Sequence, residues 1–240
     1  MDPHTEDRIR NIQKALLSKG HDLGRWGADG DLGPTTEQTI LDVIALSKSV
    51  APAPVVADTA AEATVTRFTL PALWLPNASM KRIIWHWTAG AYVASELDKE
   101  HYHFVIEGDL DVIKCDHSIK DNEVIHGSNY AAHTLNCNTG SIGLSVCSMA
   151  GAVESPFNAG KYPFTEGQFL RLVDITAQLC KRYSIPVSRT TTLSHAEVQP
   201  TLGIQQRGKW DYSRLPFAPN IVGAVAVGDF IREHVADAMR

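Results

Sequence analysis

The chain has 240 residues, of which 44% are apolar and 20% charged, with a formal net charge of −5. That is material for one large domain or two unequal ones with a real core. The acidic balance argues against general nucleic-acid binding, which needs a basic face, and no apolar run approaches the roughly 18 residues of a membrane helix. The expected partners therefore include neither nucleic acid nor an inserted membrane, and a monomer is the default.

Met1-Asp2-Pro3-His4-Thr5-Glu6-Asp7 is polar and acidic, unlike a secretory signal, so the expectation is synthesis in a cytoplasm. Residues 1–47 read as a small helical unit. Ile9, Ile12, Leu16 and Leu17 recur at helical spacing and predict one buried face. Gly20 stops that helix, Asp29-Gly30 and Gly33-Pro34 punctuate a loop, and Pro34 suits the first turn of a helix burying Ile40, Val43 and Ile44. So short a unit has little core of its own and reads as a module rather than an enzyme. Asp29 and Asp31 could suggest a calcium loop, but the later ligand positions and the bidentate Glu are missing.

Residues 48–66 are rich in Ala, Pro, Val and Thr, without alternation or helical spacing, and predict a linker. From about residue 67 the pattern becomes mixed α/β. Arg82-Ile83-Ile84-Trp85-His86-Trp87 is a short apolar strand. Tyr102-His103-Phe104-Val105-Ile106 is a second, with Asp111–Lys114 as its hairpin partner. Ser141–Cys147 is a further buried strand. Thr165-Glu166-Gly167-Gln168 is a capping box opening a helix to about Tyr183, and a last helix is expected from Asn220 to Ala238. The expected fold is α/β, a mixed central sheet flanked by helices, preceded by a small three-helix domain. The four cysteines (Cys115, Cys137, Cys147, Cys180) lack CxxC pairing and predict free thiols, with a disulfide formed after release as the alternative.

The chemistry-bearing residues are His86 at the end of an apolar strand, and His195 and Asp211 from a later loop. Two imidazoles and a carboxylate are what an open catalytic zinc site requires, with the fourth position left for water. Spacing alone does not prove it, because His86 lies far from the other two.

Two family resemblances add to this. Arg10-Asn11-Ile12-Gln13-Lys14-Ala15-Leu16, then Gly20-His21 and Asp29-Gly30-Asp31-Leu32-Gly33-Pro34-Thr35-Thr36, resemble the peptidoglycan-binding type 1 module. The second domain, 67–240, resembles the type 2 N-acetylmuramoyl-L-alanine amidases, which include lysozyme-type phage amidases and peptidoglycan recognition proteins. The words that carry this are Ile83–Ala89, Tyr102–Ile106, His133 ahead of Asn138–Leu144, His195-Ala196-Glu197-Val198 and Lys209-Trp210-Asp211.

The second resemblance implies zinc ligands at His86, His195 and Asp211, the last standing where some relatives carry cysteine. A segment from Gln199 to Gln206 makes the interval before Asp211 longer than in the shortest relatives. Lys209, two residues before Asp211, is expected beside the metal as the oxyanion-stabilising cation, and the resemblance implies Tyr102 as the group acting on water. Another branch uses a glutamate where this chain has Ser145, which shifts weight onto Tyr102, although a phenol needs a nearby cation to serve as base. His133, Trp87 and Thr88 are the expected substrate-binding positions, while His101, His103, His117 and His126 have no matching role; His103 is expected to point opposite Tyr102.

The implied activity is zinc-dependent hydrolysis of the amide joining N-acetylmuramic acid to L-alanine in peptidoglycan. A wall-binding module without a signal peptide suggests a phage or prophage endolysin, made in the host cytoplasm and reaching the wall after a membrane lesion. The alternatives are a non-catalytic peptidoglycan recognition protein and a cytoplasmic muropeptide-recycling amidase. Cleavage of the glycan strand would need paired carboxylates around a sugar site, and no such pair stands out.

Overall fold

A computed structural model describes residues 6, 9–10, 12–14, 16, 23, 28–33, 35–40 and 67–240. The chain divides into two units, Met1–Ala61 and Glu62–Arg240. The expected linker, residues 48–66, lies outside the described residues, as do Leu17, Pro34, Val43 and Ile44.

In the first unit Ile9 and Leu16 are buried as the spacing predicts, but Ile12 is 47% exposed and does not join them. The neighbouring Gln13 is buried in its place because its amide satisfies four groups at once. Its Nε2 donates to Asp29 Oδ1 (2.8 Å), the Asp31 carbonyl (2.9 Å) and Thr36 Oγ1 (3.1 Å), while its Oε1 accepts from the Gly30 N–H at 2.8 Å. One buried amide thus joins the helical segment to the Asp29–Asp31 loop and to the helical run 35–40. Gln13 supplies the tertiary reason for the Ile-Gln word, and Asp29 and Asp31 are engaged in holding it.

The second unit is built on a five-stranded sheet: β1 (Arg82–Trp87), β2 (Phe104–Ile106), β3 (Val112–Lys114), β4 (Ser141–Val146) and β5 (Thr192–Ser194). The spatial order is β3-β2-β4-β1-β5, with only the β2–β3 hairpin antiparallel. β1 therefore has parallel neighbours on both sides, and His86 lies opposite Ser145 of β4. The helices are α1 (Glu96–His101), α2 (Glu166–Tyr183), α3 (His195–Leu202) and α4 (Ala224–Ala238).

Alternation along the strands sorts their side chains between two layers. Ile83, Trp85, Phe104, Ile106, Ile142 and Leu144 face the main core, which includes Leu172 and Ile175 of α2 and Ile231 and Val235 of α4. The buried Trp85 indole donates to Thr176 Oγ1 of α2 at 3.0 Å, so its polar edge is not orphaned. On the opposite face Ile84 packs with Leu193, Cys137 and Val198 of α3. All four cysteines are free and buried; burial pushes the Cys115 and Cys180 thiols up to about 12.

The Thr165 box forms as predicted, its hydroxyl accepting from Gln168 N–H. Gln168 is fully buried and also donates to the Cys147 carbonyl at 3.0 Å, joining α2 to the end of β4. The last helix begins at Ala224 rather than at Asn220, because Gly223 sits at φ 100°, outside helical space, and gives its N–H to the Ser213 carbonyl. β5 and α3 were not foreseen. His195 opens α3 and is not in a loop.

A buried ion pair secures that helix start. Arg232 of α4 donates to Glu197 at 2.7 Å and to the Thr192 carbonyl at 2.7 Å, while Glu197 also accepts from Ser194 N–H at 2.9 Å. Glu197 is fully buried and Arg232 nearly so. Removing one partner leaves the other charge uncompensated, so Arg232→Met should destabilise the second unit by about 3–5 kcal/mol in denaturant unfolding. A loss below about 1 kcal/mol, the range of an exposed pair, would contradict this role.

Candidate metal centre

Three backbones of different kinds meet at one point. His86 is the fifth residue of β1, His195 the first of α3, and Asp211 lies in a turn closed by Ser213 N–H to the Trp210 carbonyl at 2.8 Å. His86 Nδ1 is 3.0 Å from His195 Nδ1, and each is 3.6 Å from Asp211 Oδ2. All three residues are buried. Around a tetrahedral zinc with ligand bonds of about 2.0–2.1 Å, donor atoms stand roughly 3.3 Å apart. Two Nδ1 atoms at 3.0 Å with a carboxylate oxygen 3.6 Å from each come close to those edges, so the donor set fits the ion.

The electrostatics suit ligation. Burial drives the His86 imidazole down to about 4 against the pull of Asp211, which leaves a neutral ring with a lone pair to offer. Burial alone would raise Asp211, but the adjacent His195 and His86 outweigh it and hold the carboxyl well below its ordinary range. A cation here would meet the Asp211 carboxylate and the neutral His86 ring.

The remaining predicted residues surround this cluster. The Tyr102 ring lies 5.1 Å from His86; burial first, and then the Asp211 carboxylate, raise its phenol well above the ordinary range. A cavity of about 630 Å³ is lined by His195 and Asp211 of the cluster and by Trp87, Thr88, Tyr102, His133 and Lys209. Trp87 is 5% exposed and wedged against Trp210 (4.8 Å) and Tyr212 (5.3 Å), so it offers little more than an edge to the cavity. Thr88 Oγ1 is occupied in accepting from Gly90 and Ser148 N–H groups. Lys209 is exposed at the rim.

His133 is 6% exposed, and its Nδ1 sits 3.2 Å from His86 Nε2 and 2.8 Å from Thr134 Oγ1. It thus contacts a candidate ligand as well as the cavity. Gly143 makes room for it, since a Cβ there would stand 2.6 Å from the His133 ring. His103, expected to point away from the Tyr102 side, packs edge-on against His133 at 5.8 Å and accepts from Gly143 N–H at 3.0 Å. Its burial takes it down to about 3. Of the other unassigned histidines, His101 lines the cavity.

Sequence reasoning missed two residues at the site. Tyr212 is fully buried and donates its hydroxyl to the His86 carbonyl at 2.9 Å, pinning the turn that carries Asp211 to β1. Its backbone adopts φ 63°, uncommon for an aromatic residue, and its place directly after Asp211 was the available signal. Gln206, 3% exposed, bonds His195 Nε2 at 2.9 Å from within the segment that looked like an insertion, and no sequence signal marked it.

Buried neutral histidines give a pH dependence. In the unfolded chain these imidazoles titrate near 6.5, whereas His86 is down at about 4, His103 at about 3 and His133, by burial and then by its His86 neighbour, well below normal. Their contribution is complete above about pH 6.5 and is lost as pH falls towards 4, because the unfolded chain then binds more protons. The metal-free melting temperature of the second unit should hold between about pH 8 and 7 and fall steadily from about 6.5 to 4 in calorimetry; a flat profile would contradict the burial of these rings.

No curated protein matches the chain. A solved structure of a PlyL mutant is similar at 17% sequence identity, covering 66% of this chain and 86% of that one, with a TM-score of 0.39. The family described as N-acetylmuramoyl-L-alanine amidase (Amidase_2) matches residues 76–212, more than half of the chain and a span that includes His86, His195 and Asp211. The chain belongs to this amidase family.

Proposed function

We propose that the protein is a zinc-dependent N-acetylmuramoyl-L-alanine amidase that cuts the lactyl amide between N-acetylmuramic acid and the first L-alanine of peptidoglycan. The observation that carries this reading is the convergence of His86 Nδ1, His195 Nδ1 and Asp211 Oδ2 inside the family-matched span. Those three residues would hold the ion. Bound zinc supplies Lewis-acid polarisation of the scissile carbonyl and makes water acidic enough to attack near neutral pH.

The chain's own groups do the rest. The Lys209 ammonium at the cavity rim offers positive charge to the oxygen that becomes anionic as the carbonyl turns tetrahedral. Tyr102, packed on His86, keeps its phenolic proton in this buried setting and so orients water or substrate by hydrogen bonding. It could act as a base only where a cation in the pocket held it as the phenolate. His133, Trp87 and Thr88 shape the wall against which the sugar–peptide junction lies.

Purified sacculi should release peptide with the native protein, lose that release on chelation, and regain it with zinc. Asp211→Ala should bind no stoichiometric zinc and release no peptide; full activity in that variant would sink the ligand assignment. Lys209→Ala should keep its zinc while kcat/KM falls roughly 10²–10³-fold, the range for loss of one oxyanion donor.

The first unit is proposed as a peptidoglycan anchor, and the whole as a phage or prophage endolysin made in a host cytoplasm and acting on the wall after membrane permeabilisation. A tether raises local concentration at a polymer but gives little to a soluble fragment. Gln13→Leu, which removes the amide joining the Asp29–Asp31 loop to the helical segments, should cut activity on sacculi while leaving turnover of a small muropeptide unchanged. Equal losses on both substrates would contradict an anchoring role.

A further inference from the structure

The interval between His195 and Asp211 contains a residue whose amide orientation can be read from its neighbours. Gln206 Nε2 donates to the Leu135 carbonyl at 2.8 Å and faces the Ile204 carbonyl at 3.4 Å. Two carbonyls on one side leave no freedom to flip the amide, so Oε1 is the atom that faces His195 Nε2 at 2.9 Å. An amide oxygen can only accept, so His195 Nε2 must carry the hydrogen. In a neutral imidazole the lone pair then resides on Nδ1, the atom aimed at Asp211 and His86.

The backbone of Gln206 is held as well, its N–H donating to Gln199 Oε1 at 3.0 Å. The last turn of α3 thereby braces the residue that braces the first residue of α3. Through Leu135 the same side chain reaches the 133–135 stretch, whose His133 and Thr134 flank His86 Nε2 at 3.2 and 3.4 Å. Both imidazoles thus have Nε2 engaged by groups of one connected loop system, while Nδ1 of each stands 3.6 Å from Asp211 Oδ2.

We propose that Gln206 is a positioning residue: its amide oxygen fixes His195 as an Nδ1 donor and sets the protein's affinity for zinc. This rests on the zinc reading above and adds a residue to it. An outer hydrogen bond of this kind typically alters metal affinity by 10–100-fold, because it selects the tautomer, orients the ring and raises its basicity. The Gln199–Gln206 segment is then part of the metal site.

The test compares native protein with Gln206→Met, similar in length but without an acceptor, and Gln206→Glu, which restores one. Zinc dissociation constants are measured by competition with a chromogenic chelator, and the His195 tautomer by histidine ¹⁵N shifts of the metal-free proteins. Gln206→Met should bind zinc about 10–100-fold more weakly and show a mixed His195 tautomer. Gln206→Glu should keep the Nε2–H tautomer and bind in the native range or tighter. Native affinity in Gln206→Met, or equal weakening in both variants, would overturn the inference while leaving the zinc reading intact. A native protein that binds no zinc but shows the locked tautomer would remove the zinc reading and, with it, the metal role assigned to Gln206.

Discussion

The constraint on which this structure turns is the burial of one carboxylate between two imidazoles. Asp211 has His86 and His195 each 3.6 Å from the same oxygen, and all three side chains are nearly shut off from water. A buried anion is costly unless a cation or a set of donors stands against it. Here the facing atoms are two imidazole Nδ1 atoms only 3.0 Å apart. A divalent ion would answer all three groups at once.

Much of the second unit can be understood as holding those three atoms in place. β1 carries His86 from the middle of the sheet, with parallel partners on both sides. The Glu197–Arg232 pair secures the start of α3, where His195 stands. The Tyr212 hydroxyl on the His86 carbonyl joins the Asp211 turn to β1. Each device draws on a different part of the chain, so the site depends on tertiary structure being complete. An amidase of this kind gains from such rigidity, because transition-state stabilisation relies on donors fixed before the reaction begins.

The parts legible in the sequence were those with local causes. The Arg82–Trp87 strand was visible as an apolar run and the Thr165 cap as a box of fixed spacing, and both occur where expected. β5, the three residues Thr192–Ser194, was too short to show alternation. α3 was hidden by Pro200, which lies inside the helix yet reads as a breaker. Ile12 misled for a different reason: helical spacing turned it inwards, but the four hydrogen bonds of Gln13 decide which side of the segment is buried. Gln206 was illegible because its partners, His195 and Leu135, are brought to it only by the fold.

The most direct test of the central claim is X-ray absorption at the zinc edge on protein loaded with one equivalent of zinc. The expected first shell holds only nitrogen and oxygen at about 2.0–2.1 Å, with two imidazole signatures and no sulfur. A sulfur scatterer near about 2.3 Å would place a cysteine on the metal. A single imidazole signature would remove His86 or His195, and either result would contradict the His86–His195–Asp211 centre.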